Sequence, residues 1–110
     1  MHLARGSVPP GTLHLLILKT LARAPLHGYA IAQQIKRTSD QVLQIEEGSL
    51  YPALQRMLAE GWVDAEWVPV GPKRRTRVYS LTADGRRQLE KELNAFHRVT
   101  GAIVRVIQEA

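Results

Sequence analysis

Four cations fall within five residues at Lys73, Arg74, Arg75 and Arg77. Like charges at this density repel, and no turn needs them in order to fold. A polyanion explains the cluster, because each cation that meets a phosphate releases condensed counterions. A second set lies upstream, at Ser49, Tyr51, Pro52, Gln55 and Arg56. Gln and Arg can make bidentate bonds to adenine and guanine edges in the major groove. Tyr51 can pack on sugar or a thymine methyl while its hydroxyl meets a phosphate. Catalysis has no comparable constellation. His2, His14, His27 and His97 are scattered, with no pair at helical spacing and no carboxylate completing a metal-ligand set. Glu46 and Glu47 could act as acid and base, but no nucleophile or phosphate loop accompanies them. They suit the positive end of a following helix. There is no cysteine, which removes disulfides, thiolate zinc sites and cysteine nucleophiles together. No enzyme motif is found, and neither a metal nor a cofactor is expected.

The bulk properties agree with a nucleic-acid partner. The chain has 110 residues and a formal net charge of +5. A basic balance favours a polyanion. One domain of this length buries roughly 60–70% of its unfolded surface, so its core is real but modest. The densest apolar run, Leu15-Leu16-Ile17-Leu18, is far shorter than the ~18 residues of a membrane span. The expected location is the cytoplasm, with no membrane partner.

The elements that would carry these residues follow from periodicity. Leu13, Leu16, Ile17, Thr20 and Leu21 recur at helical spacing. Pro9 and Pro10 suit the first turn of that helix, and Pro25 stops it near Ala24. After a turn through Pro25-Leu26-His27-Gly28, a second helix is expected from about Gly28 to Thr38, with Ile31, Ala32 and Ile35 inward. Residues 42–45 alternate in part and predict one short strand. Ser49 is the expected N-cap of a third helix, which places Pro52 in its first turn. Leu50, Leu54, Met57 and Leu58 form its buried stripe, and Gly61 its C′ stop.

Residues 62–68 and 78–81 have the composition of strands. Residues 69–77 between them, with two prolines and a glycine, predict a protruding basic loop too long for a tight hairpin. Trp62 and Trp67 should face opposite sides, one on the core, the other toward a terminal helix or pocket. Tyr29 and Tyr79 are expected in the core, and His27 as a capping or packing residue. Thr82 caps the last helix, with Asp84 in its first turn. Leu89, Leu93, Phe96, Thr100, Ile103 and Ile107 are spaced 4, 3, 4, 3 and 4, a heptad seam. At 1.5 Å per residue this helix is about 40 Å long. It cannot bury its seam on so small a core and calls for a second copy.

This order predicts a mainly α (α+β) fold: a winged helix-turn-helix DNA-binding domain over residues 1–81 and a C-terminal dimerisation helix over residues 82–110. Three blocks carry a resemblance to a known family. They are Leu26-His27-Gly28-Tyr29 with Ile31; Gly48-Ser49-Leu50-Tyr51-Pro52-Ala53-Leu54 with Leu58, Glu60 and Gly61; and Arg74-Arg75 through Val78-Tyr79-Ser80-Leu81-Thr82 with Gly85. Over residues 9–95 the chain resembles the PadR family of transcriptional regulators, in its small subfamily with a single dimerising helix.

The resemblance implies a homodimer that binds double-stranded DNA at a palindromic operator and usually represses. It gives Tyr51 and the Lys73–Arg77 cluster a DNA-binding role. It also implies, for some small members, a flat aromatic or cationic effector held between subunits near an aromatic residue. Phe96 stands at about that place, although a seam phenylalanine also serves as core. Two other readings stand beside this one. The fold could be a protein-interaction module whose basic loop docks an acidic partner. It could also be a ligand sensor working at the dimer seam.

Overall fold

The computed structural model describes residues 11–109. The expected helix start at Pro9 and Pro10 lies outside them. The elements in chain order are α1 (Leu13–Leu21), β1 (Leu26–His27), α2 (Gly28–Thr38), α3 (Glu47–Ala59), β2 (Val63–Gly71), β3 (Arg74–Leu81) and α4 (Ala83–Gln108). The sheet is antiparallel in the order β1-β3-β2. Its core is built from Ile17, Leu18 and Leu21 of α1, Ile31 and Ile35 of α2, and Leu50, Leu54 and Met57 of α3. Val63, Tyr79 and Leu89 close it from the sheet and α4. This is the mixed winged helix-turn-helix with a long final helix that the periodicities predict.

Local signals set most element ends. The His27 ring accepts a hydrogen bond from the Ala30 N–H at Nδ1, 3.3 Å, and so caps α2. Gly61 has φ +78°, the left-handed conformation glycine adopts without Cβ strain. The Gly61 N–H donates to the Leu58 carbonyl and the Trp62 N–H to the Met57 carbonyl, closing α3 in a Schellman turn. Helix α1 stops at Leu21 rather than near Ala24. Pro25 has no N–H for the Leu21 carbonyl, and the Arg23 N–H turns to Thr20 instead, 3.3 Å.

Three further expectations are corrected. Residues 42–45 form no strand; the chain reverses through Asp40 and Gln41 at φ 53° and 70°. The Leu43 N–H donates to the Ser39 hydroxyl, 2.9 Å, and Leu43 and Ile45 lean on the core. The edge beside β3 is filled instead by Leu26 and His27, paired with Tyr79 and Val78. Helix α3 starts earlier than Ser49: Glu46 is its N-cap, and Pro52 falls inside the helix. Proline there leaves the Gly48 carbonyl without an intrahelical donor, which solvent tolerates because Gly48 is exposed. The wing is no long loop. Strands β2 and β3 pair nearly to their ends, from Val63↔Leu81 to Gly71↔Arg74, and only Pro72 and Lys73 turn. Pro69 is accommodated because β2 is an edge strand and bulges between Pro69 and Gly71.

One junction joins wing, α3 and α4. The Thr82 hydroxyl donates to the Gly61 carbonyl, 2.7 Å, and accepts from the Gly85 N–H, 2.9 Å, as the cap of α4. The Thr82 N–H donates to the Trp62 carbonyl, 3.1 Å. Gly85 lies against that same carbonyl, so a Cβ there would stand 2.1 Å from the Trp62 oxygen. Gly85→Ala must therefore push α4 off the wing base, at a cost of about 1–3 kcal/mol. Thr82→Val loses the cap, about 1 kcal/mol. Gly48→Ala, which meets nothing within 4 Å, should be neutral or stabilising. Thermal denaturation of the three variants checks the order, and an unperturbed Tm in Gly85→Ala would refute the close contact.

Candidate nucleic-acid interface

Helix α3 divides cleanly. Leu50, Ala53, Leu54 and Met57 are buried, while Ser49, Tyr51, Pro52, Gln55 and Arg56 are exposed on the opposite side. All five residues expected to meet DNA thus share one open face. Tyr51 is the anchored member. Its ring covers the start of α2 so closely that a Cβ on Gly28 would stand 2.8 Å from Cε1 and 3.0 Å from the hydroxyl. Any larger residue at 28 would require the Tyr51 ring to shift, which gives the glycine of the His27-Gly28-Tyr29 block a physical reason.

The Tyr51 pKa is raised, first by burial, then by the Glu47 carboxylate and by Tyr79. Like any tyrosine at neutral pH the phenol is protonated and can donate to a phosphate oxygen, and the shift extends that state further into alkali. The neighbouring Tyr29 is not in the core but exposed, its hydroxyl accepting from the Gln33 side chain. Ile31 and Ile35 take the buried stripe of α2, and Tyr29, two residues before Ile31, falls on the far side. Tyr79 is buried as expected.

The wing cations are not one undifferentiated patch. In the β2–β3 register Trp67 faces Arg77 and Pro69 faces Arg75. Alternation therefore puts Trp67, Arg75, Arg77 and Tyr79 on one sheet face and Arg74 on the other. The Arg75 guanidinium lies 5.3 Å from the Trp67 ring centroid and that of Arg77 5.8 Å. Arg77 also lies 5.8 Å from the Tyr79 ring. Lys73 sits in the turn. Trp67, 57% exposed, stands outside the hydrophobic core cluster. It belongs to the basic cluster, which sequence spacing alone did not reveal. Trp62 takes the core-side position, edge-on to His14 at 6.1 Å. Tyr79 joins core and wing: its ring is buried in the core and is covered by the Arg77 guanidinium.

Along α4 the expected seam splits. Leu89 is buried in the chain's own core and Leu93 packs against it. Beyond them Phe96, Ile103 and Ile107 are exposed, Ile107 by 74%, with Thr100 half-buried. Val99 and Val106, absent from the strict heptad, extend the same exposed stripe. A shallow groove of about 440 Å³ beside it is lined by Gly11, His14, Leu15, Glu92, Phe96 and Val99. No helix of the described residues is long and apolar enough to cross a membrane.

A three-helix core, a β-hairpin wing with a cationic face and a long final helix define a winged helix-turn-helix regulator. The Transcriptional regulator PadR-like family matches residues 17–91, and the chain belongs to that family. It is 39% identical over 89 residues to an uncharacterised 37.1 kDa protein of transposon TN4556 from Streptomyces fradiae. That match covers 81% of this chain but only 24% of the relative, so the chain spans about a quarter of that relative's length. It is 29% identical over 77 residues to the negative transcriptional regulator PadR of Bacillus subtilis, covering 70% of this chain and 42% of that one. A crystal structure of Bacillus subtilis PadR in complex with operator DNA superposes with a TM-score of 0.70 at 28% identity, over 77% of this chain and 48% of that one. A transcriptional regulator from Clostridium thermocellum shares the fold at TM-score 0.79 and 21% identity, over 90% and 95% of the two chains.

The Tyr51 environment has a consequence in alkali. A folded-state pKa above the ordinary 10.0 means that the unfolded chain loses this proton first. The associated stability is whole below pH 10.0 and is lost as pH rises through the folded value. Tyr51→Phe should therefore flatten the fall of Tm with pH on the alkaline side. An identical alkaline profile for both proteins in thermal scans would rule out the perturbed phenol.

Proposed function

We propose that the protein is a DNA-binding transcriptional repressor acting as a homodimer on a palindromic operator, in the cytoplasm. The observation that carries this reading is the open polar face of α3, with Ser49, Tyr51, Pro52, Gln55 and Arg56 exposed, beside a wing whose Arg75 and Arg77 lie over the Trp67 ring. Helix α3 would enter the major groove with Gln55 and Arg56 at base edges. Ser49, Tyr51 and Pro52 would pack on the backbone. Lys73, Arg74, Arg75 and Arg77 would hold phosphates beside it. Similarity to Bacillus subtilis PadR, solved with operator DNA, supports the same partner here.

Residues 1–81 would form the DNA-binding unit, and residues 82–110 the dimerisation helix. Its seam of Leu89, Leu93, Phe96, Thr100, Ile103 and Ile107 would be rooted in the core at Leu89 and Leu93 and completed by the partner from Phe96 onward. Two recognition helices so held would read half-sites roughly 34 Å apart. A small aromatic or planar effector at Phe96, in the groove beside α1, would release DNA only by binding the incompetent state more tightly.

Fluorescence anisotropy with duplex from upstream of the gene, against a random duplex of equal length, tests the reading over a salt series. The upstream duplex should bind about a thousandfold more tightly or better; no binding to either duplex at low salt would end the proposal. Arg74→Ala or Arg75→Ala should weaken binding to all sequences and lower the salt slope by about one. Gln55→Ala should relax preference at one or two base pairs, about 1–3 kcal/mol of discrimination, and unchanged selectivity would remove it as a base reader. Ile103→Asp places a charge in the apolar stripe. It should give a folded monomer by sedimentation with sharply weaker operator binding; a persisting dimer would exclude the α4 seam.

A further inference from the structure

We infer that Trp67 is a positioning residue for DNA binding, a platform that holds Arg75 and Arg77 extended along one face of the wing before any nucleic acid arrives. The inference rests on the DNA-binding reading above and deepens it. A free arginine side chain samples many rotamers, and fixing it on binding costs free energy. Here the two guanidiniums already lie 5.3 and 5.8 Å from the Trp67 ring centroid, within reach of its negative face. The strand register makes this possible. Arg77 is the direct cross-strand partner of Trp67, and Arg75 is the diagonal one, opposite Pro69. Two cations are thereby drawn to one face although they repel each other.

The cost of the arrangement is visible at Arg77. Its Nε is buried and has no hydrogen-bond partner among the described residues. An unsatisfied buried donor calls for an explanation. The rings of Trp67 and Tyr79 supply one, since each lies 5.8 Å from the guanidinium carbon. Trp67 itself is 57% exposed, so core packing does not account for a tryptophan at this position. Among the described residues no carboxylate pairs with either arginine within salt-bridge distance; Arg87 with Asp84 is the ion pair found there. Their charge stays available to an incoming phosphate, and the ring orients it without neutralising it.

The test is a double-mutant cycle read by anisotropy on both upstream and random duplexes. Trp67→Leu removes the platform without changing charge. Affinity for both duplexes should fall about tenfold, the scale of two side chains that must now be ordered on binding, and the salt slope should stay near that of the parent. Trp67→Phe, which keeps an aromatic face, should recover most of the loss. In an Arg75→Ala, Arg77→Ala background Trp67→Leu should have no further effect. A structural role in the wing would instead survive in that background and lower Tm in step.

A second readout needs no DNA. With Trp62→Phe leaving Trp67 as the single tryptophan, removing both arginines should shift its emission spectrum. Undiminished affinity in Trp67→Leu, an equal loss in the arginine-free background, or an unmoved emission spectrum would each overturn the inference. If the parent protein bound neither duplex, both the inference and the DNA reading would fall. If the parent binds and Trp67→Leu matches it, only the inference does.

Discussion

Everything that could touch a partner hangs on the contact between Thr82, Gly85 and the Gly61–Trp62 backbone. Thr82 uses its hydroxyl and its N–H on two successive carbonyls at the end of α3, and with the same oxygen it caps α4. Gly85 lets the α4 backbone approach the Trp62 carbonyl to a distance that any side chain would forbid. Three elements are locked by groups of very short reach. The third helix, the wing and the final helix thus keep one mutual orientation, and a movement of α4 must be felt at the wing base.

From that base the wing extends an ordered surface. A flexible loop carrying four cations would be attracted to phosphate, but it would lose conformational freedom on contact. A paired hairpin with a two-residue turn has already lost it. One face of it is aromatic and cationic by turns, with Tyr79, Arg77, Trp67 and Arg75. Aromatic rings are well suited to this place. They order guanidinium groups without neutralising them, and a neutral phenol adds a donor with no repulsion toward phosphate.

The final helix follows another logic. It has 26 residues, about 39 Å at 1.5 Å per residue, and the molecule measures 62 Å along its longest axis. Only its first turns find a core, which buries Leu89 and takes Leu93 against its edge. The remainder shows Phe96, Val99, Ile103, Val106 and Ile107 to solvent, a stripe larger than scattered surface residues would make. The proposed second copy answers that exposure. It would tie the spacing of two recognition helices to the same junction that orients the wing.

Much of this was legible in the residues, because much of it is local. The caps at His27 and Thr82, the stop at Gly61, the buried stripe of α3 and the apolar periodicity of α4 depend on neighbours within a turn or two, which spacing reports. The short strand was misplaced at residues 42–45 because a strand is defined by its partner, and the edge of β3 was already taken by Leu26 and His27. The wing read as a loop because Pro69 and Gly71 break strands in most contexts, and only an edge position with a bulge accepts them. Tyr29 is an aromatic residue that suits a core, but the phase set by Ile31 and Ile35 puts it outside. Trp67 joined the arginines only through cross-strand register. The sequence by itself determined the presence and order of the helices, the caps at His27 and Thr82, the family and the sign of the charge, since each rests on short-range periodicity or residue chemistry. The tertiary structure alone decided which side chains face one another across strands and helices, because those meetings are set by chain segments far apart in sequence.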